Sequence, residues 1–345
     1  MIKIDHLGSN NEKAWDAYVN QHINASIYHL SLWRHIIKQQ FGHDSDYLMA
    51  TQEGSKTIVG VLPLVYLKSR LFGNFMVSMP YFNYGGVLAD NELVEISLLD
   101  KARELGESKN VAHIEHRELK SRQGDWPCRD EKVLMQLGLP DSTGFLWKAI
   151  GAKRRAQIKR PDREGVSIRS GGLECLGDFY AVFSRNMRDL GTPVYAKQWF
   201  EAILRLLSNQ ASIIVVMINN QPAAAAFLVG YKHRLEIPWG SSLREYNRIG
   251  VNMRLYWEVL KYAIDNKYSV FDFGRSTIDE STYKFKKQWG AEPVQCFWNY
   301  QLIGYEDMPQ LNPSNAKYAM AIKCWKKLPM AVANRLGPHI VKNLP

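Results

Sequence analysis

The segment FDFGRSTIDESTYKFKKQWGAEP, residues 271–293, holds the residue types best suited to chemistry. Alternating Phe271 and Phe273 bury one face of a strand and leave Asp272 on the other. Gly274 lets the backbone turn, and Arg275 falls at the strand's end, where α/β sheets place ligand contacts. The run Tyr283-Lys-Phe285-Lys286-Lys-Gln-Trp289-Gly290 then brings Lys286 back to that edge. An ammonium held against an apolar wall can stabilise an oxyanion or orient a carboxylate during acyl transfer. On chemistry alone the plainer reading has the edge: Phe285 and Trp289, four apart, are core, and the lysines are solvated.

Other candidates are weaker. There is no nucleophile elbow, Walker loop, HExxH or dinucleotide fingerprint. Nine histidines are scattered, and His113 with His116 is too small a set for a metal, so no metal site is expected. His29, in IYHLSLW, reads as a satisfied helix-start residue before it reads as a base. Tyr81, Asn83, Tyr84, Gly85 and Gly86 read equally as a substrate loop and as turn chemistry. Glu115 and Arg117 repeat the acid and base of residues 272 and 275 in an earlier strand, and most such pairs are structural. Tyr195, in GTPVY, is a candidate for facing a cleft between two domains.

The elements that must position these residues occur twice. Trp15, Tyr18 and Ser31-Leu-Trp33 precede YLMATQEGSKTIVGVLPLVYL; Phe179, Tyr180 and Lys197-Gln-Trp199 precede SIIVVMINNQPAAAAFLVGYKH. Each reads as helices followed by a hairpin with a short polar turn. An amphipathic helix follows in each half, at 92–108 and 252–266, with apolar residues at the 3.6-residue period. A last strand closes each unit, at 111–118 and 268–276, and the spacer GDWPCRDEKVLMQLGLPDS reads as holding one more strand of the first. This order predicts a duplicated α/β architecture. The expected domains are 1–145, 146–303 and a tail, 304–345. A basic helix running to about Arg160 and broken by Pro161 begins the second domain. In the tail, Tyr318, Ala321, Ile322, Trp325 and Leu328 share a face ringed by Lys317, Lys323, Lys326 and Lys327. Docking on the protein and lying on an anionic membrane are both open to residues 315–345, and the lysines tip the reading toward the membrane.

The 345 residues suggest two domains at roughly 150 residues each. Hydrophobic residues at 46% exclude a disordered or collagenous chain. A net charge of +10 favours an anionic partner such as nucleotide phosphate, RNA or an acidic membrane face. Four cysteines lie far apart without a CxxC pair and read as reduced thiols. The first residues lack a signal peptide's apolar core, and no apolar run reaches the roughly 18 residues of a membrane span. The expectation is a cytoplasmic protein.

DFGRS followed by YKFKKQWGAEP resembles the closing signature of FemAB-type acyltransferases. Arg155-x-x-Ile158-Lys159-Arg160 with Gly165-Val166 is similar to that family's interdomain basic motif, and SMPYFNYGG to a glycine-containing loop of its first domain. The resemblance covers roughly residues 1–300. It is nearest to the FemAB-related subgroup associated with PEP-CTERM/exosortase and exopolysaccharide gene clusters. It implies two tandem GNAT-like domains with a basic C-terminal tail, in agreement with the duplication.

By that resemblance Phe285 and Lys286 match a Phe-Lys pair that stabilises charge in acyl transfer, with Asp272 and Arg275 flanking the cleft. Arg155 and Lys159 match positions that hold a substrate phosphate, and Trp239 lies where the acceptor channel is lined. The nearest counterpart of an acyl-CoA pyrophosphate loop is Arg248-Ile-Gly250-Val-Asn252-Met253. It is a weak match ahead of a helix whose N-terminus suits phosphate. No tightly bound cofactor is implied. The donor is acyl-CoA or aminoacyl-tRNA, and the acceptor an amine of an envelope saccharide or a peptidoglycan-type precursor, free or lipid-linked. DNA is not an expected partner. The competing expectation is a non-catalytic basic module for RNA or an anionic membrane, although its basic stretch lacks the interleaved aromatics that stack on single strands.

Overall fold

The computed structural model describes residues 2–69, 73–122, 126–304, 308 and 316–344. In the first half these form β1 (Ile2–His6), α1 (Glu12–Gln21), α2 (Leu32–Phe41), β2 (Asp44–Gln52), β3 (Ile58–Ser69) and β4 (Gly73–Val77). They continue through β5 (Leu88–Ala89), α3 (Glu92–Ser108), β6 (His113–Glu118), β7 (Cys128–Arg129) and β8 (Lys132–Gly138). Next come α4 (Thr143–Ala149), α5 (Gly151–Lys159), β9 (Val166–Gly171), α6 (Leu176–Leu190) and α7 (Lys197–Leu206). The second half then repeats the first: β10 (Ala211–Ile218), β11 (Gln221–Tyr231), β12 (Arg234–Ser242), α8 (Val251–Asp265) and β13 (Val270–Thr277). The chain ends in α9 (Ser281–Lys287), β14 (Glu292–Gln295), β15 (Phe297–Leu302), α10 (Ala316–Trp325) and α11 (Met330–Val341).

Two sheets result, with one topology. The first runs β1-β2-β3-β4-β6-β15-β7, with β5 beside β3. The second, from its other edge, runs β9-β10-β11-β12-β13-β8-β14. Each holds a parallel pair: β4 with β6, and β12 with β13. A parallel pair needs a crossover, and the amphipathic helices α3 and α8 supply it. Asn91 caps α3 by accepting the Val94 amide, and Val94, Leu98 and Ala102 bury its inner stripe. The hairpin turn between β10 and β11 places Asn219 and Asn220 at φ 48° and 62°, the geometry that asparagine tolerates and that matches strand twist. In β11, Ala223 to Ala226 are all buried, and these small side chains let α6 and α8 pack closely on the strand.

The compact units do not follow chain order. One comprises 1–133, 294–311 and 342–345; the other comprises 134–293 and 312–341. The spacer strand expected to finish the first unit is β8, and it lies in the second sheet, whereas β15 lies in the first. The physical reason is visible at the buried acids. β8 supplies Gln136 to Asp272, and β15 supplies Tyr300 to Glu115 and Asn299 to Glu118. The expected division at 145 and 303 therefore differs from the observed one at these two strands.

The tail helices α10 and α11 belong to the second unit. Ala333, Gly337 and Val341 of α11 are buried, and α11 packs against α6. The Leu328 carbonyl accepts from Arg188 Nη1 at 3.0 Å. At Lys317 and Tyr318 only the backbone is described.

Candidate active site

β12 and β13 pair through Glu236 and Asp272, the last of three registered pairs, and then part. Asp272 is fully buried. One of its oxygens accepts the Gly274 amide at 2.7 Å, and the other accepts Gln136 Nε2 at 3.0 Å. Burial raises its pKa, outweighing those two hydrogen bonds and the charges of Arg234 and Lys286. Two residues on, Gly274 stands at φ 74°, and Ser276 is buried with a hydroxyl that has no partner among the described residues.

Lys286 returns to this point on α9. Its Nζ donates to the carbonyls of Gly274 at 3.0 Å and Arg275 at 2.9 Å. It is 7% exposed. Burial brings its pKa down to about 8, with Asp272 and Glu236 pulling it up and Arg275 pulling it down. Among the described residues it makes no ion pair, and an ammonium has three protons, so one donor remains for a ligand. The arrangement can lower the energy of an oxyanion forming beside it.

Phe285, expected with Lys286, does something else. Its ring meets Tyr256 of α8 edge-on at 5.0 Å, and Tyr256 stacks on Phe273 of β13. Phe285 thus fixes α9 against α8 and the strand, and through them fixes where Lys286 sits. The Arg275 side chain is exposed. Trp239 lies on the part of β12 beyond the last registered pair, and Tyr195 lies 6.1 Å from it, ring to ring. Both join Trp199, Phe200 and Phe227 in one aromatic cluster. Each such pair contributes about 0.5–1.5 kcal/mol beyond area burial.

The expected phosphate loop does open α8. Gly250 stands at φ 83° immediately before it, and a Cβ there would come within 3.0 Å of the Gln157 carbonyl. Only glycine meets both demands without strain. Arg248 is exposed and Asn252 half-buried. The amides of the first turn of α8 form a site suited to an anion, and α5 packs beside that helix. Within α5, Arg155 donates to the carbonyls of Trp147 and Lys148 and so caps α4, while the Lys159 ammonium lies over the Trp147 ring at 5.7 Å. Both cations already have protein contacts.

Tyr81, Asn83 and Tyr84 belong to the first unit. The Tyr81 hydroxyl donates to the Lys342 carbonyl at 2.7 Å, the Asn83 carbonyl accepts from Trp298 Nε1, and Tyr84 is buried edge-on against Tyr28. His29 is buried between Ser26 and the Gly86 carbonyl, as a satisfied structural histidine. Sequence reasoning missed Gln136 and Glu236. Each is a lone polar residue inside an apolar strand, VLMQLG and LEIPW, and that interruption was the available signal.

Residues 152–287, less than half of the chain, match a family model described as an acetyltransferase (GNAT) domain. The chain therefore carries an acyltransferase domain, and domains of this kind take acyl-CoA as a substrate. The curated proteins give no match. A solved structure of FemX superposes with a TM-score of 0.63 at 15% identity, over 86% of this chain and 96% of that one. A tandem GNAT protein from the clavulanic acid biosynthesis pathway does so at 0.57 and 11%, over 89% and 100%. The C-terminal domain of a putative lysylphosphatidylglycerol synthetase from Agrobacterium fabrum gives 0.57 and 13%, over 92% and 96%. At these identities the likeness is one of fold: two GNAT-like units in tandem.

Proposed function

We propose that the second unit binds an acyl or aminoacyl donor where β12 and β13 part, and transfers the acyl group to an amine of a cell-envelope saccharide or peptidoglycan-type precursor. The observation that carries this reading is Lys286, a buried ammonium held by two carbonyls with a donor to spare. The acceptor nitrogen attacks the acyl carbon, and charge gathers on the acyl oxygen, where Lys286 offsets it. The carbon–nitrogen bond forms and the carbon–sulfur bond of a thioester, or the carbon–oxygen bond of an aminoacyl ester, breaks. The proton lost by the amine ends on the departing thiol or hydroxyl.

The opening turn of α8, with Arg248, Gly250 and Asn252, would take the donor's phosphates. Trp239 and Tyr195 would line the acceptor side. The sequence resemblance to FemAB-type enzymes supports the envelope acceptor, and its nearest subgroup favours an amino sugar made for exopolysaccharide in a PEP-CTERM setting. Fold likeness to FemX and to a putative lysylphosphatidylglycerol synthetase keeps aminoacyl-tRNA beside acyl-CoA as a donor.

Thermal unfolding with acetyl-CoA, longer acyl-CoAs and aminoacyl-tRNA tests the reading, because a ligand of the folded state raises the midpoint by mass action. A rise with acyl-CoA directs the acceptor search to amino sugars. A rise with aminoacyl-tRNA alone makes the chain a bridge-forming aminoacyltransferase. No rise with any donor overturns the proposal in favour of a basic binding module.

A further inference from the structure

The acyl-transfer reading leaves α10 and α11 without a task. Their side chains are arranged against the usual rule for a docked helix. In α11 the small residues Ala333 and Gly337 face inward, in a stripe continued by Val341. Contact there is so close that a Cβ on Gly337 would come within 2.8 Å of the Val194 backbone. The larger residues Val332 and Leu336, also four apart, are turned outward, and Leu336 is 45% exposed. In α10, Met320 is 69% exposed, whereas Ile322 lies with its Cγ2 beside Gly191 and keeps 37% of its surface exposed. A helix serving only to cover its neighbour would bury the large residues and expose the small ones.

Charge identifies what the outer side meets. From 316 to 345 the sequence has Lys317, Lys323, Lys326, Lys327, Arg335 and Lys342, and no aspartate or glutamate. Lys323, Lys326, Lys327 and Arg335 are exposed, and none of them makes an ion pair among the described residues. A second copy of the same surface would bring like charges together. An RNA strand would leave the exposed aliphatic side chains without the aromatic stacking that it uses. Aliphatic side chains set among uncompensated cations fit the boundary of an anionic bilayer, with the apolar groups in the acyl region and the cations at the phosphates. No described helix is long and apolar enough to cross a membrane. We infer that α10 and α11 form an interfacial anchor that lays the protein on an anionic lipid surface.

The inference is independent of acyl transfer. Full-length protein is sedimented with vesicles of phosphatidylcholine alone and of phosphatidylcholine containing phosphatidylglycerol. Binding is expected on the anionic vesicles, weakening with added salt. Replacing Lys323, Lys326 and Lys327 by glutamine weakens it by about fivefold per cation. Leu336→Ser weakens it by at least about fivefold. The unfolding midpoint of that variant falls by no more than about a few degrees, because nearly half of the side chain is exposed. Equal partition onto both vesicle types, or variants that bind like the wild type, overturns the inference. So does a Leu336→Ser change that dissolves a dimer in sedimentation without altering vesicle binding, since the face then belongs to a second copy.

Discussion

Glu115 on β6 and Asp272 on β13 occupy one position in two copies of a unit, each at the last registered pair before the parallel strands part. Their surroundings differ. Glu115 binds Arg117 at 2.7 Å and the Tyr300 hydroxyl at 2.8 Å, and its neighbour Glu118 binds Arg122 and Asn299. The gap beyond β4 is filled by the chain itself: the Ser78 amide donates to the Glu115 carbonyl, and the Gly85 amide to that of Arg117. The filling loop carries Met79 and Tyr81 at φ 59° and 75°, strained values held by packing. In the second unit the same acid is held by an amide side chain and a backbone N–H, and the lysine by carbonyls. A charge neutralised by a counter-charge has little field left for a substrate. A charge held by dipoles keeps it. The first arrangement suits stability, and the second leaves a buried ammonium with a donor to spare for the proposed acyl transfer.

The comparison breaks most visibly in the first unit. Glu115→Ala leaves Arg117, 2% exposed, without its carboxylate, and should cost about 3–5 kcal/mol in denaturant unfolding. Turnover per folded molecule should hold; a matching loss of turnover would place chemistry in the first unit. Lys286→Met should do the opposite, lowering kcat about 10²–10³-fold with the circular dichroism spectrum retained. Wild-type turnover should decline above a pH of about 8, as the ammonium loses its proton. Gln136→Leu should cost about 1–3 kcal/mol by stranding one oxygen of Asp272, and should raise that carboxyl further.

The smallest effect is a slope. Burial pushes the Glu115 carboxyl up, but Arg117 and Tyr300 bring it below its ordinary value, so its contribution to stability is present above that value and lost as the pH falls. The Asp272 carboxyl is raised, so its contribution is present in acid and lost as the pH rises. Unfolding free energy against pH should therefore show a shallower acid decline in Glu115→Gln. In Asp272→Asn it should lose a decline of the opposite sign. Curves that shift in the same direction would end the contrast.

Much of the fold was legible because duplication and hydrophobic period are local signals. The helix expected at 92–108 forms over Glu92–Ser108, and that expected at 252–266 over Val251–Asp265. The basic helix ends at Lys159, just ahead of Pro161. Membership of β8 and β15 was hidden, because an apolar strand such as KVLMQLG suits either sheet and only its tertiary partner decides. At the site, Asp272 was singled out by its charge between two phenylalanines, whereas Lys286 rested on the family resemblance, since chemistry alone favoured solvated lysines. Gln136 was signalled only by its polarity within an apolar strand, because its partner lies 136 residues away. The likeness of Arg117 to Arg275 was off by one: in the observed register Arg117 corresponds to Gly274, and Glu118 to Arg275.

The crosswise use of β8 and β15 governs how the protein is made. A ribosome releases the N-terminus first, yet β6 gains its antiparallel neighbour only after Leu302 has emerged. Until then the nascent chain carries an open strand edge, which invites pairing with other chains. Cutting the gene at residue 145 would not yield two self-sufficient products. The N-terminal fragment would keep a strand that belongs to the other sheet and lack one of its own, so the two halves are expected to become soluble only when translated as one polypeptide.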